Sequence, residues 1–344
     1  MKKQEPRKHH YIPRFILKNF NDNNGQVNYW DIKKNKLEKR NIKSVFMNID
    51  MYRDETINEQ DPTQIESKFA IFECEIAKLI SEKILNKNEI TLKKSELEQL
   101  RIFITLLAFR SNSRMNQYIN NSFNESTRDT LLKYQPDGNF EKLWRRELDI
   151  LATCRSYEEI EQSDLIDPII KLDFFNDLEG FYMTFVDARG GEFLLSDIYP
   201  TLEVFPIIDI NIHLHCILPL SPTRMLLLNH IMFKKEYKDN SVFKNMAKLS
   251  KITGEATVQP KCKHNFNCFA NKDSEYIYKV RKVYAHDIEY INALILNETK
   301  IGVIFRNAEK IIESVKLFNE RSDTKQKFLE LEKQLYNVLD SNNQ

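Results

Sequence analysis

A chain of 344 residues with 51 basic and 50 acidic side chains, 42% apolar and 29% charged, has the make-up of a soluble globular protein. It is long enough for one large domain or two ordinary ones. Only seven glycines occur, with no GxGxxG and no GxxxxGK, which argues against Gly-rich Rossmann and P-loop nucleotide sites. No apolar run reaches the ~18 residues that span a bilayer, and the basic N-terminus lacks the apolar core of a signal peptide. Five scattered cysteines, Cys74, Cys154, Cys216, Cys262 and Cys268, suit a reducing compartment, so a cytoplasmic protein without a membrane partner is expected.

In chain order, residues 8–20 read as a strand or extended segment, because Pro13 turns its predecessor away from helix. The turn Asn23-Asn24-Gly25 precedes a strand-period run at 26–32, with 37–42 as its hairpin partner, so the opening (8–45) is a β meander. Asp61-Pro62-Thr63-Gln64 starts a helix, and Ile65, Phe69, Phe72, Ile76 and Leu79 form its apolar face. A capping box at Ser95-Glu96-Leu97-Glu98 starts a second helix running to about Asn120. Together they make a central helical hairpin over 65–120. Residues 122–180 read as acidic and mostly helical, with breaks at Pro136-Asp137-Gly138 and Asp167-Pro168, which completes a helical insertion over 61–180.

Then the period changes. Residues 181–187 and 192–197 read as a hairpin around Arg189-Gly190-Gly191, and 213–220 and 224–230 as two more strands, within a β region over 181–232. Helices close the chain over 286–340, interrupted near Gly302. The expected class is α+β: a single domain over 1–344, with a mixed or antiparallel sheet in which the meander joins the later strands.

Charge is segregated. Residues 1–43 hold twelve Lys/Arg against four acids, 137–209 hold seventeen acids against six bases, and 230–284 hold twelve bases against five acids. Such blocks mark an anion-binding face or pair with one another in the fold.

Several groups can carry chemistry. Only seven histidines occur, and two of them, His9 and His10, are adjacent in the first strand-like segment, where one faces inward and the other outward. An inward imidazole is a general base near neutral pH. The plainer alternative is a histidine that ties the first strand down by hydrogen bonds. Asp197 ends a strand before a turn, where it is either a catalytic carboxylate or, with Ser196, a turn former bonded to local backbone. Arg110 and Arg114, four apart, can clamp a phosphate or pair with acids of the 137–209 block. Glu73 is a partner for either arginine. Cys262-x-His264-x-x-x-Cys268 and His213-x-His215 are metal-ligand patterns without a complete zinc set.

The segments His-His-Tyr-Ile-Pro-Arg-Phe (9–15), Phe109-Arg110-Ser111 with Arg114, Phe193-Leu194-Leu195-Ser196-Asp197 with Pro200, Leu218-Pro219-Leu220-Ser221-Pro222, and Asn292 occur in that order. In this they resemble a bacterial family known as domain of unknown function 4238, over roughly residues 8–310. Two residues, Ile198 and Tyr199, separate Asp197 from Pro200 where that family usually has one. The resemblance implies a shared fold and site, without a reaction. The His-x-x-Pro strand also resembles the first strand of HNH nucleases, which would make His10 the base and His9 the metal-side residue. The downstream histidine of that motif is missing, since the next one after His10 is His213.

Two functional expectations follow. One is a phosphodiester-cleaving, nuclease-like hydrolase, in a bacterial-defence setting, with a nucleic-acid partner and a divalent metal. Its catalytic residues would be His10, His9 and Asp197, and Arg110, Arg114, Ser196 and Glu73 would hold phosphate. The other is a non-catalytic sensor that binds an anionic ligand or a partner protein. Neither reading fixes an oligomeric state.

Overall fold

The computed structural model describes residues 7–54, 60–207, 210–234, 248–253, 259–260, 272–321 and 327–342. The opening strand is shorter than its sequence suggests. β1 (Lys8–His10) ends at His10, and Pro13 is the N-cap of a short helix, α1 (Arg14–Lys18), that buries Ile16 and Leu17. β2 (Gln26–Asp31) and β3 (Lys36–Asn41) form the expected hairpin, and β4 (Met47–Ile49) returns to pair with β1. α2 (Gln64–Leu79) buries the predicted Ile65, Phe69, Phe72, Ile76 and Leu79, and a π turn, Ile80–Ile84, extends it.

A strand that the helical reading passed over, β5 (Glu89–Lys93), precedes α3 (Lys94–Phe109). Glu96 reaches back to the Lys93 N–H at 2.9 Å, so the helix starts two residues earlier than predicted and its capping acid is Glu96, while the predicted one, Glu98, accepts the Tyr157 N–H at 2.8 Å. The second arm of the hairpin is broken. α3 ends at Phe109, and Ser111 caps a new helix, α4 (Asn112–Ile119), by accepting the Arg114 N–H at 3.2 Å.

α5 (Glu125–Tyr134), α6 (Phe140–Leu151), α7 (Tyr157–Glu161) and α8 (Pro168–Glu179) fill the acidic stretch. The predicted break at Asp167-Pro168 is a helix start: Asp167 caps α8 through the Ile169 and Ile170 N–H groups, with Pro168 at the first helical position. The expected 181–197 hairpin does not form. β6 (Phe181–Arg189) is followed by a loop and the two-residue β7 (Leu195–Ser196), which belongs to another sheet. β8 (Thr201–Ile207), β9 (Ile210–Pro219) and β10 (Arg224–His230) follow, then α9 (Lys248–Thr253), β11 (Gln259–Pro260), β12 (Glu275–Lys279) and β13 (Arg281–Tyr284). The interruption near Gly302 is a strand, β14 (Gly302–Phe305), between α10 (Ala285–Glu298) and α11 (Ile312–Arg321), and α12 (Leu329–Asn342) closes the described chain.

The class is α+β, with the strands divided among four sheets. The largest has the order β13-β6-β10-β9-β8, antiparallel except for β13 on β6. The meander joins later strands as β3-β2-β14-β7, while β1-β4 and β11-β12-β5 stand apart. Both faces of the five-stranded sheet are covered, which makes its strands almost continuously apolar. Phe181, Met183, Phe185, Cys216, Leu218, Leu226 and Leu228 join the cluster that holds α2, α3, α6 and α8. Val186, Ala188, Ile217, Met225 and Leu227 face the opposite way, toward Ile288, Ile291 and Ile295 of α10, Val315 of α11 and Leu331 of α12.

Gly302 is required where it stands. A Cβ there would come within 2.4 Å of the Trp30 carbonyl oxygen and 2.7 Å of the Tyr29 hydroxyl.

Candidate functional site

The predicted residues separate into three neighbourhoods. The first surrounds β1. His9 is fully buried, accepts the Tyr52 N–H on Nδ1 at 2.8 Å and stacks on the Tyr52 ring with centroids 5.6 Å apart. His10, one residue on, is half-buried, with Nε2 3.2 Å from the Ile42 carbonyl oxygen. A carbonyl only accepts, so Nε2 carries the proton there. Burial, with the charges of Arg14, Arg110 and Lys8 assisting, lowers the His10 pKa to about 4, against the pull of the Ile42 bond. At neutral pH it is an uncharged and weak base.

Arg110, only 1% exposed, donates to Glu73 at 2.6 Å and lies 4.7 Å over the Phe69 ring, while its carbonyl accepts the Tyr52 hydroxyl at 3.0 Å. Among the described residues its buried Nε has no partner. Glu66, one helical stretch before Glu73 on α2, completes the group. Burial pushes its carboxyl up to about 7, opposed by Arg110 and reinforced by Glu73. Sequence reading missed Glu66, although its i,i+7 spacing to Glu73 puts both on one face of the helix.

The second neighbourhood holds Asp197 and Ser196. Asp197 Oδ1 accepts three successive backbone N–H groups, from Lys300, Ile301 and Gly302, at 3.0, 2.9 and 3.1 Å. Ser196 Oγ accepts the Ile198 N–H at 3.1 Å. Both side chains hold loops together, as in the turn-forming alternative.

The third neighbourhood is a solvent-open cavity of about 600 Å³ between α3, α4, α5, α8 and the edge of the five-stranded sheet. Arg114 enters it because the helix break at Arg110–Ser111 sends the two guanidinium groups apart. Arg114 donates to Asp173 and to Gln117, each at 2.9 Å. His213 and His230 also line the cavity.

His213 gets there through a bulge. Glu203 pairs with His215 and Val204 with His213, so β9 carries one extra residue, Leu214. The extra residue turns His213 onto the cavity face and leaves His215 on the other. The expected His213-x-His215 pair on one face is thereby undone.

Burial lowers both cavity imidazoles; Asp173 opposes it at His213, and the neighbouring histidines add to it at His230. His230 Nδ1 accepts the Met232 N–H at 3.2 Å, so the neutral ring carries its proton on Nε2. Burial raises Asp173 against the pull of Arg114.

Beneath the cavity lies a buried carboxyl pair. Glu147 Oε1 accepts the Asp167 N–H at 3.1 Å, and burial, then the Asp167 charge, hold Glu147 well above the ordinary carboxylate range. The folded state therefore keeps a proton that the unfolded chain releases at its ordinary pKa, and stability falls as pH rises above that value. Glu147→Gln retains a donor and removes the titration. The variant is expected to show a shallower decline between pH 5 and 8.5 in urea melts, with the share of Glu66 remaining, and to be the more stable protein at the alkaline end.

Among the described residues no group of three or more His, Cys, Asp or Glu side chains is placed to hold a metal. Cys262, His264 and Cys268 lie outside the described residues. Several bases of the first segment are paired locally, Arg7 with Asp50, Lys39 with Asp22 and Arg40 with Asp31. No helix among the described residues is long and apolar enough to cross a membrane.

No curated protein and no solved structure matches the chain. A family profile does, over residues 8–309, described as a protein of unknown function, DUF4238. That span contains His9, His10, Arg110, Asp197 and Asn292. Of these, Asn292 joins α10 to the loop before β7: it donates to the Glu192 carbonyl and accepts the Leu194 N–H. The landmarks, their order and the matched span together mean that the chain belongs to the DUF4238 family of proteins of unknown function.

Proposed function

We propose that the protein is a cytoplasmic receptor for a small phosphate-bearing ligand, a nucleotide being the class that fits best, bound in the cavity of Arg114, His213 and His230. The observation that carries this reading is the convergence of one guanidinium and two imidazoles on a single open cavity of about 600 Å³, within the usual range for small-molecule sites. Arg114 spends two donors on Asp173 and Gln117, and a guanidinium has five. The remaining donors, with His230 Nε2–H, suit phosphate oxygens.

A bound anion would raise the depressed pKa of both imidazoles, so binding takes up protons. Affinity is expected to strengthen as pH falls through the range below about 6.5, the ordinary imidazole value. The test is thermal unfolding with inorganic phosphate, 5′-AMP and 3′,5′-cyclic AMP at pH 5.5 and 7.5. Ligand at about a hundred times its Kd should add about 2.7 kcal/mol. Arg114→Ala should abolish that gain while costing the free protein under about 1 kcal/mol, because the Arg114–Asp173 pair is partly exposed and Asp173 can take up a proton once its partner is gone. Absence of stabilisation by all three probes overturns the reading.

One observation favours turnover in the same cavity. Two neutral imidazoles beside an arginine are equipped to pass a proton to and from a phosphodiester while the guanidinium steadies the charge. Hydrolysis of 3′,5′-cyclic AMP that disappears in His213→Ala and in His230→Ala would make the protein a phosphodiester hydrolase, with a nucleic acid as a further substrate to try.

A further inference from the structure

On the sheet face opposite the cavity, three side chains from separate elements form a relay. Ser250 Oγ, on α9, lies 2.7 Å from His215 Nε2, and His215 Nδ1 lies 2.6 Å from Glu203 Oε2. His215 is fully buried and stacks on Phe233, with centroids 4.9 Å apart and planes within 2°. Glu203 and His215 are directly paired across β8 and β9, which fixes the carboxylate against Nδ1. A carboxylate only accepts, so Nδ1 carries a proton, and in the neutral ring Nε2 accepts from the Ser250 hydroxyl. This is the tautomer and the order of groups that activate a serine nucleophile.

The Leu214 bulge contributes to the arrangement. It removes His213 to the other face, so one imidazole alone meets Ser250. Ser250 is buried, at 7% exposed, while the Glu203 side chain at the other end is 24% exposed. A purely structural histidine of this kind needs partners for its two nitrogens. It does not need a hydroxyl at one end and a carboxylate at the other.

We infer that Ser250, His215 and Glu203 form a second site, a serine-nucleophile centre that acts on carboxylic esters. Ser250 Oγ forms a bond to the acyl carbon as its proton passes to His215 Nε2. The ester C–O bond then breaks, and the departing alkoxide takes that proton and leaves as the alcohol. Water, activated by the same nitrogen, attacks the acyl-serine; the carboxylic acid departs, and the proton returns to Ser250. Glu203 holds the ring and stabilises the imidazolium formed in each half. This inference is independent of the ligand proposed for the cavity.

The test is reaction of the folded full chain with an alkyl fluorophosphonate probe, read by intact mass and peptide mapping. One adduct at Ser250 is expected, formed with loss of fluoride and the serine proton, and absent from Ser250→Ala. Glu203→Gln keeps an acceptor at Nδ1 but not the charge, and should slow labelling at least tenfold. Hydrolysis of p-nitrophenyl acetate should fall in step in both variants, each of which should still melt cooperatively as a folded protein. Absence of an adduct on the folded protein overturns the inference, as does an adduct that persists in Ser250→Ala. Equal labelling rates in Glu203→Gln and the parent would reduce the trio to a structural hydrogen-bond chain.

Discussion

Asp197→Ala is expected to destabilise the protein by about 3–5 kcal/mol. The magnitude follows from what Oδ1 holds. Three backbone N–H groups, those of Lys300, Ile301 and Gly302, end on one carboxylate oxygen, and the Asp197 N–H returns to the Gly302 carbonyl at 3.1 Å. Bonds to a charged acceptor are worth about 1.5–3 kcal/mol each, and donors left buried without water cost a comparable amount. The loop they fix carries Gly302 into its tight seat against Trp30 and Tyr29, so its release also loosens β14 at the centre of the β3-β2-β14-β7 sheet. Asp197→Asn keeps an oxygen that can accept, and should cost about 1–2 kcal/mol. Urea melts of the two variants separate a structural carboxylate from a catalytic one. If Asp197→Ala melts with the parent, the loop does not depend on this side chain.

This outcome bears on how far the sequence could be read. Helices whose apolar faces repeat locally were legible: Ile65, Phe69, Phe72 and Ile76 occupy the buried stripe predicted for α2, and α8 begins at the predicted Asp167-Pro168 break. Beyond the local β2–β3 hairpin, strand partners were not, because distant pairing is a non-local choice that composition does not encode. Residues 181–187 and 192–197 look like a hairpin around two glycines, yet β6 pairs with β10, forty residues downstream, and with β13 nearly a hundred away. β14 is four residues long between two helices, too short for a period to register.

The site was harder still. Arg110 and Arg114 share a spacing that means one face only on an unbroken helix, and the Ser111 cap breaks it. His213 and His215 share a face only on an unbulged strand. Ser250 gave no signal, since its partners lie 35 and 47 positions earlier in the chain. The adjacent His9 and His10 were read correctly as one buried and one partly exposed, because strand alternation is local.

Removal of the Arg110 charge should be as damaging as loss of Asp197. Arg110→Met preserves most of the apolar stem on Phe69 while deleting the guanidinium that meets Glu73 at 2.6 Å. One partner of a buried pair then remains without compensation, at a cost of about 3–5 kcal/mol. Glu66 responds as well, since Arg110 is the group that holds its carboxyl down against burial.

With a folded-state pKa of about 7 against an ordinary 4.5, Glu66 keeps its proton longer in the folded protein than in the unfolded chain. Its contribution is complete below about 4.5 and is lost as pH rises through 7. Arg110→Met pushes that carboxyl higher still, so the variant's deficit should widen between pH 6 and 8. The double variant Arg110→Met/Glu73→Gln leaves one buried charge fewer and should recover part of the loss, as expected for two side chains that interact directly. Denaturant melts of the parent, both single variants and the double, at pH 5 and 8, contain the whole cycle. Additive losses at both pH values would mean that Arg110 and Glu73 stabilise the protein separately, through Phe69 and α2, and not through each other.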